Sequence, residues 1–354
     1  MKSIYIHIPF CNKICTYCDF CKIYYNKSLV DKYLIELEKE VFSSYKNEII
    51  KTIYIGGGTP SSLDKDELIK LFSITNRIKL TKNYEFTFEC NIENINEELL
   101  ELLKNNKVNR ISIGVESFNK DILKVLGRNY DFSIKEKINL VKKYFDNINI
   151  DLIYGVNNET MEILDNDLDN FLELDVPHIS IYSLILENNT MLKVNNYKEI
   201  DDELNNKMYY YIIKRLKSKG YNHYEISNFS KKGYCSIHNL TYWNNEEYYG
   251  FGLGAGFYIN NIRGVNTRSL TNYLKGNYAL EKEEMTNKIN MENEMILGLR
   301  KIKGVSKGKF FNKYGVNIND VFDTSKLKEN KNYYYIDSKY LFISNCILED
   351  FIDN

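Results

Sequence analysis

Proline is nearly missing from this chain, with three residues in 354, and tryptophan occurs once. No apolar run approaches the roughly 20 residues that a helix needs to cross a bilayer. The N-terminus has no basic stretch ahead of a long apolar core, so neither a spanning segment nor a secretory leader is expected and the cytoplasm is the expected location. Neither sign of charge is in excess: 47 basic residues face 48 acidic ones, for a net charge of −1. That balance argues against a broad nucleic-acid footprint and against a polybasic membrane surface. Internal repeats and low-complexity linkers are also lacking. The scarcity of proline, like the abundance of tyrosine (30 residues), carries no functional reading.

The length suits one large catalytic-type domain and a smaller one. The first half alternates short apolar strands with helical stretches. Strands are expected over 4–8, 52–55, 84–89, 110–115, 148–154 and 178–184. Between them the pattern predicts a helix over 29–45 capped by Ser28, one from Asp64 to about 78, and one from Asn96. Further helical stretches follow near 119–126, 133–145, 160–173 and 201–219. Six strand–helix units in series imply a parallel α/β sheet with right-handed crossovers. An incomplete (β/α)6 barrel over 1–229 is the expected closure, with a flat doubly wound sheet as the alternative. Residues 230–283 form an accessory segment, read as loops with short strands. Residues 284–354 read as a small α+β, winged-helix-like domain, with a helix at 289–301 and a hairpin of YYYI and YLFI turning at 337–339.

Seven cysteines are present, and four of them, Cys11, Cys15, Cys18 and Cys21, crowd into eleven residues. A disulfide scaffold would be shorter and more evenly stapled, so this cluster reads as a metal site. CNKICTYC has CxxxCxxC spacing, which lets three thiolates wrap one corner of an iron–sulfur cube and leaves one iron open. Zinc would need a fourth ligand, which Cys21 could supply.

The cysteines follow the first expected strand, and GGGTP (56–60) follows the second. Glu89 ends the third, Glu116 follows the fourth, Asp151 lies in the fifth, and Ser183 lies near the end of the sixth. In a parallel barrel these ends face one mouth, where ligands bind. Glycines there permit close backbone approach, and carboxylates suit hydroxyls and an ammonium. Taken singly, each acidic residue would read as a cap or a surface charge.

Together, YIHIPFC with its cysteines, GGGTPS, FECN, VNRISIGVESF, LGR, IDLIYG, YEISNF and HNLTYW resemble the radical S-adenosylmethionine (SAM) family of oxygen-independent coproporphyrinogen III oxidase-like proteins, from Tyr5 to about Tyr258. The resemblance implies a radical SAM barrel with a [4Fe–4S] cluster on Cys11, Cys15 and Cys18. It implies SAM contacts at Tyr5, Gly57, Gly58, Thr59, Glu89, Glu116, Arg128 and Asp151. Glu116 stands where the family has Gln, which changes a donor–acceptor into an acceptor alone. Tyr130 replaces a His, Asn157 and Asn158 replace Pro-Gly, and Gly256 replaces a His.

Within the family, Phe20 occupies the place of the oxidase's extra cysteine, and only ten residues precede Cys11. Both features resemble the heme-chaperone branch, as does HNLTYW. The resemblance then implies heme as a further cofactor, His238 as its ligand in a mobile loop with Cys235 as a second candidate, and apo-hemoprotein acceptors, respiratory or membrane-associated ones among them. Imidazole is a strong axial ligand, and aromatic neighbours pack on a macrocycle. Read alone, His238 and Trp243 would pack a loop against the barrel, and His7, His178 and His223 are structural. The rival function is a coproporphyrinogen III dehydrogenase or another radical SAM tetrapyrrole enzyme.

Overall fold

A computed structural model of the chain describes residues 2–352. Six strands run parallel in chain order: β1 (Lys2–Ile8), β2 (Ile50–Gly57), β3 (Leu80–Asn91), β4 (Arg110–Glu116), β5 (Ile148–Tyr154) and β6 (His178–Ser183). The connections carry α1 (Lys27–Ser44), α2 (Lys65–Thr75), α3 (Glu97–Asn105), α4 (Lys120–Val125), α5 (Ile134–Lys142), α6 (Met161–Glu173), α7 (Met191–Val194) and α8 (Asp202–Ser218). Local chemistry sets several starts. Asp64 accepts from the N–H of Glu67 at 2.9 Å while Glu67 accepts from the N–H of Asp64 at 2.8 Å, a reciprocal cap that offsets two orphan donors. Asn96 caps α3 in the expected way. The cap of α1 is Asn26, whose Oδ1 accepts from the N–H of Leu29 at 3.2 Å, so Ser28 falls inside the helix.

Each strand has two unlike faces. Ile4, Ile6 and Ile8 of β1, Ile53 and Ile55 of β2, and Phe86 and Phe88 of β3 share one buried core with Val30, Leu34 and Leu37 of α1 and Leu68 and Leu71 of α2. Each such side chain contributes about 1.5–3 kcal/mol by leaving water. The alternate residues are polar and buried: Ser3 and His7, Thr52, Glu85 and Thr87, Arg110 and Ser112, Asn149, and His178 and Ser180. Helices therefore cover one face and a polar interior lies on the other. That is the arrangement of a curled barrel wall and rules against a doubly wound sheet, which carries helices on both faces.

The sheet continues past the six strands. On one side β7 (Asn222–Glu225) and β8 (Asn228–Ser230) add antiparallel to β6. On the other, β9 (Tyr248–Phe251) lies parallel to β1, followed by antiparallel β10 (Gly256–Ile259), β11 (Ile262–Asn266) and β12 (Ala279–Glu284). Between β8 and β9, HNLTYW forms the helix α9 (Ile237–Trp243), capped by Ser236, where the sequence pattern predicted a loop.

The tail holds helices Asn287–Gly298 and Lys307–Tyr314 and a three-stranded sheet. The expected YYYI–YLFI hairpin does not form. Tyr333–Tyr335 pairs with Val305–Ser306 and Lys328–Glu329 instead. Asp337 caps the short turn Ser338–Tyr340, which buries Leu341 and ends the extended backbone.

Candidate functional site

The ends of β1–β6 surround a cavity of about 340 Å³. Its wall contains Cys11, Cys15 and Cys18, then Gly57, Gly58 and Thr59, then Glu89, Glu116, Arg128 and Asp151. Cys21 is outside that wall: its carbonyl accepts from Nε2 of His7 at 2.7 Å, and its side chain packs beside Gly254. Among the described residues no three His, Cys, Asp or Glu side chains converge on a point as a single metal ion requires. Zinc would draw its sulfurs to about 2.3 Å from one centre. Thiols spread around a cavity suit the larger iron–sulfur cube. Burial pushes the Cys15 thiol up to about 11, and the nearby Arg128 opposes that shift. A metal-bound thiol gives up its proton outright.

The glycines are explained by what touches them. Gly57 has φ +119°, and a Cβ there would meet the His7 ring at 2.5 Å. A Cβ on Gly58 would lie 2.7 Å from the Pro9 carbonyl carbon and 3.0 Å from Sγ of Cys11. The turn thus passes directly beneath the cysteine loop, and Thr59 Oγ1 donates to Cys11 Sγ at 3.4 Å. His7 is neutral, held down to about 4 by burial. With Nε2 donating to Cys21, its Nδ1 accepts from the Tyr5 hydroxyl at 2.9 Å. Tyr5 is thereby turned to His7 and does not line the cavity.

Three carboxylates are held differently. Glu89 accepts from the Tyr54 hydroxyl at 2.6 Å and from the N–H of Gly57 at 2.9 Å. Burial still pushes it up to about 7. Glu116, at φ +71° past a register shift in β4, pairs with Arg128 at 3.0 Å, both side chains buried. Burial raises Glu116 and the guanidinium opposes it. Asp151 accepts from Asn149 at 2.8 Å and from Ser112 at 3.2 Å, and burial raises it too.

Arg110 and Asn149 line the cavity and escaped the sequence reading. Arg110 is buried with Nε unpartnered, and Thr87, its register partner on β3, has an unpartnered hydroxyl. Asn149 ties the wall together, donating to Ser112 at 2.7 Å while its Oδ1 accepts from Nδ1 of His178 at 2.5 Å. The signal was available: every second residue in RISI, INID and HISI is polar or charged.

His238 lies beneath this chamber and outside its wall. Helix α9 plugs the barrel floor. Glu85 accepts from the N–H groups of Ile237 and His238, both at 2.9 Å, and so neutralises the helix N-terminus from inside the barrel. Thr241 and Ser3 hydroxyls meet at 2.9 Å. His238 is 1% exposed, its Nδ1 bonded to Thr52 at 2.7 Å and its Nε2 to the Tyr242 hydroxyl at 2.7 Å. Neither nitrogen is open to iron, which corrects the expectation of an accessible ligand in a mobile loop. Cys235 is bonded to Ser230 at 3.2 Å instead. His238→Ala is expected to strand the Thr52 and Tyr242 hydroxyls and to cost about 1–3 kcal/mol in urea unfolding. Iron content should stay at the parent level, and a parent-like unfolding midpoint would remove His238 from the floor's support.

Comparison with known proteins agrees with this geometry. Residues 5–171 match the radical SAM superfamily model. The heme chaperone HemW of Lactococcus lactis is 39% identical, covering 99% of this chain and 97% of its own length. HemW of Bacillus subtilis is also 39% identical, over 91% of this chain and 89% of its own. HemW of Escherichia coli is 32% identical over 80% and 78%. Among solved structures, the coproporphyrinogen III oxidase HemN of Escherichia coli superposes with TM-score 0.87 over 99% of this chain and 90% of its own, at 20% identity, and so shares the fold. A cysteine loop, a glycine turn and carboxylates around one barrel mouth, together with relatives alike along nearly the whole sequence, place this chain in the HemW family of the radical SAM superfamily.

Proposed function

We propose that this chain is a heme chaperone that binds heme and passes it to apo-hemoproteins, with a [4Fe–4S] cluster and SAM as accessory or gating cofactors. The observation that carries this reading is the 39% identity to a heme chaperone over 99% of the chain. When bound, the cluster supplies SAM with an open iron and an electron. The chain's own groups do the holding. Cys11, Cys15 and Cys18 are the cluster ligands. The Gly57–Gly58 backbone and Thr59 form the approach surface for SAM. Glu89 and Asp151 take its ammonium and hydroxyls, and Glu116 is oriented by Arg128.

Glu89 gives SAM binding a pH dependence. Its carboxyl, at about 7, is protonated below that value and ionised above it. A cationic partner favours the ionised form, so SAM affinity should rise as pH goes from about 6 to about 8. Equilibrium dialysis of the reconstituted protein checks this, and Glu89→Gln should flatten the profile. A parent profile that is already flat would take Glu89 out of the SAM contacts.

The shared fold with a coproporphyrinogen III oxidase favours a decarboxylating enzyme as the second reading. Anaerobic incubation with coproporphyrinogen III, SAM and a reductant is expected to yield no protoporphyrinogen IX above a cluster-free control. Transfer of heme from the loaded protein to an apo-hemoprotein, followed by absorbance, is the positive test. Product formation without heme transfer would reverse the assignment.

A further inference from the structure

The mouth of the SAM cavity has an unusual rim. Phe20 on the cysteine loop is 68% exposed, and Tyr182 and Ile185, at and beyond the end of β6, are 43% and 65% exposed. All three line the same cavity from two separate segments of chain, and Lys13 and Lys22 join them there. Isolated exposed apolar side chains need no explanation, but large ones gathered around one opening mark a binding surface. The lysines are held unequally. Lys22 Nζ donates to the carbonyls of Cys18 and Phe20 and so folds the loop. Lys13 is exposed and makes no hydrogen bond or ion pair among the described residues. The rim therefore offers an apolar platform with a free cation at one edge.

A ligand that matches is flat, apolar on its faces and anionic at one edge, as an iron porphyrin with two propionates is. The interior, at about 340 Å³, lies near the lower end of ligand-pocket sizes, roughly 300–1,000 Å³, and leaves no room for a macrocycle beside SAM. The other candidate surfaces fit less well. His238 is sealed in the floor. The lysine-lined cleft between the strand starts and the tail, with Lys82, Lys303 and Lys309, has Tyr333 as its one aromatic wall and no apolar platform.

We propose that heme lies across the mouth of the SAM cavity, its macrocycle against Phe20, Tyr182 and Ile185 and a propionate at Lys13. This rests on the heme-chaperone reading and adds its location. Heme then covers SAM, so SAM must enter first, and an acceptor must approach this same face to collect the heme.

The test uses full-length protein carrying its cluster. Hemin titration, followed by absorbance, is expected to show at least tenfold weaker binding for the Phe20→Ser/Ile185→Ser double variant and several-fold weaker binding for Lys13→Glu. Lys303→Glu, in the tail cleft, should bind as the parent does. Iron and sulfide content verifies that each variant keeps its loop. A second measurement needs no variant: bound heme should slow entry of radiolabelled SAM into the parent at least tenfold. Parent-like hemin affinity in the double variant, or SAM entry at an unchanged rate, overturns the location while leaving the chaperone reading standing. A parent that binds no heme overturns both.

Discussion

Alanine at Cys11, Cys15 or Cys18 is expected to abolish the iron–sulfur cluster, whereas Cys21→Ala should keep about four irons and four sulfides per chain after anaerobic reconstitution. The difference lies in where the sulfurs sit. The first three line one cavity, and the turn that passes beneath Cys11 leaves no space for a Cβ at Gly58. Cys21 sits on the far side of the loop, where its backbone is bonded to His7 and its side chain abuts Gly254. A cube held by three thiolates has no substitute ligand nearby, so losing one leaves two irons uncovered. Iron and sulfide analysis decides the matter. Equal loss with Cys21→Ala would mean four-cysteine ligation and no open iron for SAM.

The second large effect is expected at the Glu116–Arg128 pair. Both side chains are more than nine-tenths buried and 3.0 Å apart. Removing one partner of a buried pair leaves an uncompensated charge, which costs about 3–5 kcal/mol. Arg128→Ala should therefore lower unfolding stability by that amount and abolish measurable SAM binding. Glu116→Gln should be milder, because the amide oxygen still accepts from the guanidinium, although the buried Arg128 loses its counter-charge. It should bind SAM at least as tightly as the parent, since Gln is the residue the family pattern carries there. Chemical denaturation and dialysis on the same preparations separate the two readouts. Arg128→Ala with parent stability would show that the pair is not coupled in solution.

Much of this arrangement was legible in the sequence because several rules pointed the same way. Apolar runs such as INIDLIY, bounded by caps such as Asp64 and Asn96, marked β5 and the starts of α2 and α3. The strand ends then grouped residues far apart in sequence into one mouth. The errors came where a local signal was short or divided. Asn26 and Ser28 are both good caps two residues apart, and only the hydrogen bond to Leu29 chooses between them. Helix α9 spans seven residues and turns His238 and Thr241 into a polar interior, so it has no apolar stripe to detect. YLFI looks like strand, yet only Leu341 is buried while Tyr340 and Ile343 face solvent. The pairing of Tyr5 with His7 depends on Cys21, a contact no spacing rule contains.

The position of β9 beside β1 has a consequence for how the chain is made. Tyr5 pairs in register with Gly250, and Ser3 reaches Thr241, so β1 waits for a segment 238 residues further along the chain before its second edge is covered. Contacts this distant in sequence slow folding far more than they weaken the folded state, because the entropy of closing a loop grows only with the logarithm of its length. During that wait the cysteine loop hangs from a strand with one edge unpaired, and the barrel has no floor. Completion of the barrel around and beneath the cysteine loop therefore depends on residues 238 positions further along the chain.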